Sequence, residues 1–482
     1  MTLLARTLKV LAIGTLGAFL ALLVLGVTYL ERRPDLKVWH EPLLTEEFTT
    51  ESEVATFADY LALEERLFKQ LQTEVYDAVA PEDRTKINRY NRGSLSDPEV
   101  WPVNWNRSFE LSAEAPKAAV LLVHGMSDSP YSLRHMALAL NKAGAWVVGL
   151  RLPGNGTAPS GLLDVRWQDM ARALELAAEH LREQAGDAPL YIVGYSIGGA
   201  LGVDYALATR ERSDLPKLDG LVLVSPAIGV TGLAALSVWQ ERLGHLLGFE
   251  KLAWNGIQLE YDPYKYGSFA INAAAQVYFL TQDIQSDLRR LSAAGQLNDL
   301  PPILAFQSAV DATVLPEAVI DALFGQLPMG GHELVLFDVN RRSEVGEVLR
   351  SDPRPTLEAL FDRPNLAFTL SLVTNETKSS RVVVLRQRLE GQDEVETLPL
   401  GLSWPEDLYS LSHVALPFSP EDPLYGEAAL GDSPGIELGI LALRGERGVL
   451  KISAADMLRL RWNPFYGYIE GRVLEFMGLD RP

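Results

Sequence analysis

The stretch Gly194-Tyr195-Ser196-Ile197-Gly198 is the most informative in the chain, because its serine lies between two segments of different character. The apolar run before it, residues 190–193 (LYIV), predicts a buried strand. Residues 199–207 (GALGVDYAL) follow it and have the composition of a helix. A G-x-S-x-G pattern is weak alone, but between a strand and a helix it marks a sharp turn that lifts the serine hydroxyl above the sheet edge. The sequence therefore predicts a nucleophile elbow with Ser196 at its tip.

Alternating strand and helix patterns surround this turn from residue 106 onward. Further apolar runs predict strands, and two segments predict helices: strands at 118–123, 145–150, 221–225, 303–307 and 333–337, helices at 133–143 and 167–184. Continuous apolar runs are typical of parallel strands that are covered on both faces. Repeated strand–helix units therefore predict an α/β fold with a doubly wound, mostly parallel sheet.

Two segments interrupt this series. Residues 230–298 lie between two predicted core strands, are helical in pattern and are rich in Trp, Tyr and Phe. Because this length is too great for a simple connection, we predict a helical cap over the site. Residues 341–405 contain strand-like runs at 367–372 and 382–385, which we interpret as antiparallel strands of an insertion that extends the sheet. The predicted domain spans residues 106–482 and includes both interruptions.

Composition narrows the possible partners and cofactors. The 482 residues include 43 Lys and Arg against 63 Asp and Glu, a net charge of -20, which argues against nucleic acid as a partner. The chain has no cysteine, which excludes disulfides, Cys-ligated zinc and a thiol nucleophile. No cluster of His or carboxylate residues has the spacing of metal ligands. We therefore expect neither a metal nor an organic cofactor.

The N-terminal region predicts a membrane anchor. Residues 10–30 (VLAIGTLGAFLALLVLGVTYL) carry no charge and are long enough to cross a hydrocarbon core of about 30 Å as a helix. The alternative, a cleaved signal peptide, would have a shorter apolar region that ends in small residues. The run ends instead in Thr28-Tyr29-Leu30, which favours an uncleaved transmembrane helix within residues 1–30.

The surroundings of the anchor predict its orientation and its connection to the domain. The short basic N-terminus favours a single-pass protein of the bacterial inner membrane, with the catalytic domain on the periplasmic side. Residues 31–105 are predicted to be a linker, within which residues 51–79 carry apolar side chains at the spacing of an amphipathic helix.

Asp311 is the candidate for the acid that a serine nucleophile requires. A serine hydroxyl is a weak nucleophile at neutral pH and needs an adjacent base that is itself oriented by an acid. In α/β-hydrolases these residues follow the serine in the order Asp or Glu, then His. Asp311 comes directly after a predicted strand, in residues 307–314 (QSAVDATV), so we expect it at the C-terminal edge of the sheet. An ordinary aspartate before a helix is the alternative.

The base must be one of the two histidines that follow Asp311. His332 precedes the last regular strand, whereas the base normally follows that strand. Residues 338–340 (DVN) occupy the place where a compact fold of this kind would carry the histidine. His413 follows the insertion and lies in a loop among small residues. We therefore predict that His413 is the base and that His332 is a strand-entry residue.

Two backbone amides are the candidates for an oxyanion hole. The tetrahedral intermediate of acyl transfer needs N–H donors aimed at its oxyanion. Ile197 follows the nucleophile at a helix N-terminus, and Met126 lies in the loop after the strand that ends at residue 123. His124 is expected to be a structural hydrogen-bonding residue. The loop 152–157 (LPGNGT) is expected to shape the site, since no P-loop lysine follows it.

Taken together, these motifs resemble the monoacylglycerol lipase and lysophospholipase branch of the α/β-hydrolases, the serine aminopeptidase-like hydrolase domain. The resemblance rests on His124-Gly125-Met126, the loop 152–157, the elbow at 194–198, Ser225-Pro226-Ala227 and Asp311. It covers residues 106–340 and 406–482, and it implies hydrolysis of acyl esters under a helical cap. The departure from the family pattern is the long insertion before His413.

The sequence therefore predicts a membrane-anchored serine hydrolase with the α/β-hydrolase fold, whose catalytic residues are Ser196, His413 and Asp311. The expected substrate is an acyl ester that is lipid-like or otherwise apolar, and the lipid bilayer is the expected partner of residues 10–30. Acyl transfer to another acceptor and peptide hydrolysis are alternatives on the same fold. A catalytically silent, membrane-tethered binding module is the non-enzymatic alternative.

Overall fold

The computed structural model describes residues 28–41, 44–230, 250–342, 349, 352–427, 433–440 and 453–481, with scattered positions between residues 7 and 26. The strands are β1 Phe109–Leu111, β2 Ala118–Val123, β3 Ala145–Leu150, β4 Leu190–Tyr195, β5 Gly220–Val224, β6 Trp254–Gly256, β7 Phe269–Ala270, β8 Ile303–Ser308, β9 Glu333–Phe337, β10 Thr369–Asn375, β11 Val382–Arg388 and β12 Val395–Ser403. The helices are α1 Phe57–Leu71, α2 Arg134–Lys142, α3 Trp167–Ala185, α4 Ile197–Ala208, α5 Ile271–Ala293, α6 Pro316–Ala318, α7 Arg354–Phe361, α8 Ala454–Leu458 and α9 Tyr466–Phe476.

A single large sheet organises the described chain, with strand order β1-β3-β2-β4-β5-β8-β9-β10-β11-β12. The strands from β3 to β10 in this order run parallel. Their side chains alternate between two apolar layers: Leu121 belongs to the layer that includes side chains of α1, α3, α4 and α5, and Leu122 belongs to the layer that includes those of α2 and α9. Burial on both faces explains why these strands are continuous apolar runs. The predicted mostly parallel α/β sheet is confirmed.

The segment predicted as an insertion extends this sheet as expected, and its first strand continues the parallel series. The two predicted strands correspond to β10 and β11, which pair antiparallel to each other, and β12 is antiparallel to β11, whereas β10 joins the sheet parallel to β9. The reason is that α7 lies between β9 and β10 in the chain, and a helical crossover returns the next strand in the same direction. The two hairpins that follow reverse the direction twice.

The region that precedes residue 106 packs against the domain that follows it. The Tyr60 hydroxyl on α1 donates a hydrogen bond of 2.6 Å to the carbonyl of Arg151. The fully buried Arg151 guanidinium pairs with Glu64 and Glu47, each at 3.0 Å. A buried arginine requires such partners, since an unpaired charge in the interior is strongly destabilising. These contacts fix the predicted amphipathic helix, which is present as α1, to the domain that follows, and they fix the segment around Glu47 with it.

Two predictions fall partly outside the described residues. The predicted membrane span, residues 10–30, is described only at scattered positions, and among the residues that are described no helix is long and apolar enough to cross a membrane. The predicted cap, residues 230–298, is described from residue 250 onward, where it contains the small β6–β7 sheet and α5.

Candidate active site

Ser196 lies in the tight turn between β4 and α4. Its backbone φ is +56°, a value that non-glycine residues rarely adopt, and its N–H donates to the carbonyl of Val224 at 3.0 Å. A Cβ on Gly194 would lie 2.3 Å from the carbonyl oxygen of Gly198, and a Cβ on Gly198 would lie 2.1 Å from that of Val123. Both glycines are therefore required by close backbone approach, which is the physical basis of the G-x-S-x-G pattern.

The structure brings Ser196, His413 and Asp311 together in one hydrogen-bonded chain. The distance from His413 Nε2 to Ser196 Oγ is 3.1 Å, and the distance from His413 Nδ1 to Asp311 Oδ2 is 2.8 Å. Because an ionised carboxylate only accepts hydrogen bonds, Nδ1 carries the proton and Nε2 is free to accept from the serine hydroxyl. His413 and Asp311 are buried, whereas Ser196 is half-buried. This geometry can activate a serine hydroxyl.

Asp311 is held as a carboxylate by donors on both oxygens. Burial acts to raise its pKa, but the charge and hydrogen bond of His413, with the amides of Thr313 and Val314, outweigh burial and leave the pKa below its ordinary value. The two amides donate to Oδ1 at 2.8 and 3.1 Å. Gln307 Nε2 donates at 3.1 Å to Oδ2, the oxygen that also accepts from His413. The carboxylate is therefore both ionised and fixed in orientation.

Gln307 is a member of the site that sequence reasoning missed. It lies on β8, is fully buried, and follows directly on the apolar residues 303–306 that predict this strand. A buried polar side chain is informative because it requires a partner. A glutamine at the end of a strand that is predicted to be buried, four residues before Asp311, is the sequence feature that could have identified it.

His413 reaches the site although it lies 76 positions after Phe337, the last residue of β9. The Asn340 amide donates to the carbonyl of Tyr409 at 2.7 Å, and its side chain donates to that of Leu408 at 2.8 Å. The Ser308 hydroxyl donates to the carbonyl of Leu411 at 2.9 Å. The chain therefore returns from the insertion to the place where it left the sheet.

His332, the alternative base, lies at the other end of the sheet. Its Nδ1 accepts a hydrogen bond of 3.1 Å from the amide of Ile303, at the start of β8, whereas Asp311 follows the end of that strand. Since a strand rises about 3.3 Å per residue, the five residues of β9 separate the two edges by roughly 16 Å. Burial lowers the pKa of His332 to about 4. These contacts agree with its predicted structural position at the entry of β9.

The two predicted oxyanion donors lie in segments next to the elbow, since a Cβ on Gly125, which precedes Met126, would lie 3.0 Å from the Tyr195 ring. Ile197 is the first residue of α4, and Met126 lies in the loop after β2. Among the described residues, neither backbone N–H donates to another protein group, so both are available to a ligand. The loop of Met126 is fixed by the amide of Ser127, which donates to Asn155 Oδ1 at 2.8 Å, and by the Ser127 carbonyl, which accepts from the Tyr266 amide at 2.8 Å.

His124 connects this loop to the neighbouring loop 152–157. Its Nδ1 donates to the carbonyl of Gly125 at 2.7 Å, and its Nε2 accepts from the amide of Leu152 at 3.0 Å. Burial lowers the pKa of His124 to about 3, so the ring is neutral at physiological pH. Both ring nitrogens are occupied, which makes His124 a structural residue. Within the described part of the chain, no group of three or more His, Asp or Glu residues is arranged to hold a metal ion.

Comparison with known proteins identifies the kind of hydrolase that this chain resembles. Residues 114–339 match the family model described as serine aminopeptidase, S33, which ends before His413. A thermostable monoacylglycerol lipase of Bacillus sp. (strain H-257) is 31% identical over 123 residues, which are 26% of this chain and 46% of the lipase. These matches confirm the resemblance to the monoacylglycerol lipase-like α/β-hydrolases.

Two further proteins show the extent of the similarity. Phospholipase YtpA of Bacillus subtilis (strain 168) is 25% identical over 129 residues, 24% of this chain and 44% of that protein. The chain thus spans less than half the length of either curated relative. Among solved structures, one of the metagenome-derived lipolytic enzymes LipS and LipT is 20% identical, with 54% of this chain and 99% of that chain covered and a TM-score of 0.38.

Proposed function

We propose that this protein is a serine hydrolase that cleaves carboxylic acyl esters, with a lipid-like or otherwise apolar acyl group, through an acyl-enzyme on Ser196. The observation that carries the proposal is the hydrogen-bonded chain from Ser196 Oγ through His413 to Asp311, at 3.1 and 2.8 Å. The similarity to a monoacylglycerol lipase and to a phospholipase supports ester chemistry.

Acylation begins when Ser196 Oγ attacks the ester carbonyl carbon. His413 Nε2 takes the hydroxyl proton, and the carboxylate of Asp311 stabilises the imidazolium that forms. The carbonyl oxygen becomes an oxyanion, which accepts hydrogen bonds from the amides of Ile197 and Met126. The bond between the carbonyl carbon and the leaving oxygen then breaks, His413 returns its proton to that oxygen, and an alcohol leaves.

Deacylation repeats these steps with water as the nucleophile. His413 takes a proton from water as the water oxygen attacks the acyl carbon, and the same two amides stabilise the second oxyanion. The bond to Ser196 Oγ breaks, the proton returns to the serine, and a fatty acid leaves. An alcohol or amine in place of water would give acyl transfer, and product analysis with competing acceptors distinguishes the two outcomes.

Residues 10–30 are proposed to anchor this hydrolase in a lipid bilayer as a single helix. Their uncharged sequence supports the proposal, since it meets the length requirement of a span. The proposed orientation puts the N-terminus in the cytoplasm and the hydrolase domain at the periplasmic face of a bacterial inner membrane. Fractionation of the full chain, followed by carbonate extraction and protease accessibility, tests both statements.

Labelling with a fluorophosphonate probe tests the catalytic assignment. The parent protein should label, and Ser196→Ala and His413→Ala should lose labelling while they keep the circular dichroism spectrum of the parent. His332→Ala is the matched control, because it removes a buried histidine at the opposite sheet edge, and it should still label when folded. A folded parent that never labels would overturn the hydrolase proposal and favour a binding module.

A further inference from the structure

The loop that carries Met126 contains a strained turn. Residues 125–128 form a β-turn, because the Asp128 amide donates to the carbonyl of Gly125 at 3.2 Å. The third residue of this turn, Ser127, has a backbone φ of +63°. A turn with this conformation at its third position normally has glycine or asparagine there, since a Cβ is disfavoured at positive φ. The serine therefore keeps this conformation only because neighbouring groups hold it.

The strain bears on the reaction because Met126 is the second residue of the same turn. Its N–H takes no part in the hydrogen bond that closes the turn, and it is one of the two proposed oxyanion donors. The peptide planes of the turn set the direction of this N–H, so a turn that opens would aim the donor away from the oxyanion. The groups that hold Ser127 and Asp128 thus control one of the two donors.

Three successive residues of the described cap region contact three residues of this loop: Tyr264 contacts Tyr131, Lys265 contacts Asp128, and Tyr266 contacts Ser127. In the first pair the rings stack with their centroids 4.2 Å apart. In the second pair the ammonium nitrogen lies 2.9 Å from a carboxylate oxygen. In the third pair the tyrosine amide donates to the serine carbonyl at 2.8 Å. The cap region therefore holds the loop at the strained residue and directly after it.

The pair of Lys265 and Asp128 is the charged contact of this set and lies against the turn. Asp128 is buried, and its Oδ2 is 3.0 Å from the position that a Cβ on Gly125 would occupy. Burial raises the pKa of Asp128 above its ordinary value, and the ammonium of Lys265 opposes that increase. A buried carboxylate that loses its cation takes up a proton or moves towards water. Either change breaks the link between the cap region and the turn.

Asn155 holds the other side of the turn. It is fully buried, and its Oδ1 accepts a hydrogen bond of 2.8 Å from the Ser127 amide. Tyr266 joins the two supports, since its hydroxyl accepts a hydrogen bond of 2.7 Å from the amide of Thr157, in the loop that carries Asn155. Ser127 is thus held at both its N–H and its carbonyl, and Lys265 fixes the residue that closes the turn.

We propose that Lys265 is a positioning residue of the reaction, which acts through Asp128 to keep the Met126 amide aimed at the oxyanion. The cap region thereby supports the oxyanion hole from outside the loop that forms it. Because the oxyanion exists in the transition state and not in the bound ester, Lys265 should affect the chemical step and leave substrate binding unchanged. The inference rests on the proposed function and assigns a further residue to it.

The test measures hydrolysis of a chromogenic ester by the parent and by Lys265→Met, Lys265→Arg and Asp128→Asn. Lys265→Met keeps the apolar stem of the side chain and removes its charge. Lys251→Met is the matched control, because it removes the same charge from another ion pair of the cap region, in which Nζ lies 2.7 Å from Asp35. Circular dichroism and the urea midpoint of each variant show that it is folded.

Lys265→Met should lower kcat about ten-fold and leave KM within about two-fold of the parent. Removal of a whole oxyanion donor costs about 10²–10³ in kcat, and here the Met126 amide is displaced but still present. Lys265→Arg should restore most of kcat, since a guanidinium keeps the pair with Asp128. Lys251→Met should behave as the parent.

Asp128→Asn removes the charge on the other side of the contact and leaves no unpaired carboxylate in the interior. It should lower kcat as Lys265→Met does, because the same link is weakened. If Lys265→Met does not fold, Asp128→Asn alone decides the matter, since it keeps the shape of the buried side chain.

A transition-state analogue separates positioning from a general effect on the fold. In a trifluoromethyl ketone that carries the acyl chain of the ester, Ser196 Oγ adds to the carbonyl carbon, the carbonyl oxygen becomes an oxyanion, and the serine proton passes to His413. The corresponding secondary alcohol forms no such adduct and measures binding alone. In Lys265→Met the inhibition constant of the ketone should rise about ten-fold, and that of the alcohol should stay as in the parent. Equal rises for both compounds would mean that Lys265 only shapes the fold, and would overturn the inference.

A kcat equal to that of the parent in folded Lys265→Met and Asp128→Asn would also overturn the inference, while ester hydrolysis itself stood. The proposed function fails in a different way, by the absence of both ester turnover and fluorophosphonate labelling in the folded parent, and the inference then falls with it.

Discussion

Gln307 offers a sharp test of how the charge on Asp311 is maintained. Its Nε2 is 3.1 Å from Asp311 Oδ2, and its Oε1 has no partner among the described residues, so this donor is its main polar contribution. A hydrogen bond to a charged group contributes about 1.5–3 kcal/mol, or 10- to 100-fold in rate if it acts fully in the transition state. His413 and two amides still hold the carboxylate, so we expect the lower end: Gln307→Leu should reduce kcat about ten-fold with little change in KM.

The assay is steady-state hydrolysis of a chromogenic ester by the parent, Gln307→Leu, Gln307→Glu and Asp311→Asn. The glutamate variant should lose more activity than the leucine variant at neutral pH, because a second carboxylate beside Asp311 raises the pKa of Asp311 and weakens its charge. Gln326→Leu is the matched control, since it changes a glutamine outside the site. If Gln307→Leu keeps kcat within about two-fold while Asp311→Asn is inactive, the glutamine serves packing only and the reasoning is wrong.

Three further predictions concern stability and folding. Glu64→Gln should destabilise the protein by about 3 kcal/mol in urea denaturation, because it removes one partner of the buried Arg151, and a loss below about 1 kcal/mol would mean that α1 is a dispensable attachment. Burial lowers the pKa of His332 from 6.5 to about 4. As the pH falls from 7 to 5, the unfolded chain therefore takes up a proton that the folded protein does not, and the free energy of unfolding of the parent decreases by about 2 kcal/mol. In His332→Asn, the free energy of unfolding measured with urea should fall by about 2 kcal/mol less than in the parent between pH 7 and pH 5. An equal pH dependence in the two proteins would contradict the buried, neutral state of His332. Gly198→Ala should yield no soluble, probe-reactive protein, since its Cβ would meet the carbonyl of Val123 at 2.1 Å, and normal labelling would refute this account of the turn.

The central sheet could be predicted from the sequence because its physical signal is local. The strands at 118–123, 145–150 and 333–337 have the bounds that their apolar runs predict. The elbow was equally accessible, since the close backbone approaches at Gly194 and Gly198 leave glycine as the only residue that fits. In both cases the constraint acts on neighbouring residues, and the pattern records it directly.

Contacts that join distant segments left no comparable pattern. The buried arrangement of Arg151 with Glu47 and Glu64 links positions about 90 to 100 residues apart, and a charged residue is normally expected at the surface. The parallel direction of β10 depends on the path of α7, which apolar runs alone do not encode. The contacts of the cap region with the loop of Met126 have the same character, since Lys265 and Asp128 are 137 positions apart in the chain.

The placement of His413 shows how a long insertion can separate the proposed base from the strand that precedes it without displacing it. What the base requires is a fixed position relative to Ser196 and Asp311, not proximity in the sequence. Asn340, at the point of departure, binds the returning carbonyls of Leu408 and Tyr409, and so closes the insertion at its base. The entropic cost of holding the ends of a loop together grows only slowly with the length of the loop. The intervening strands can therefore extend the sheet while His413 stays in place. The same argument explains why His413 follows the insertion and why His332, although nearer to Asp311 in the chain, lies at the wrong edge of the sheet.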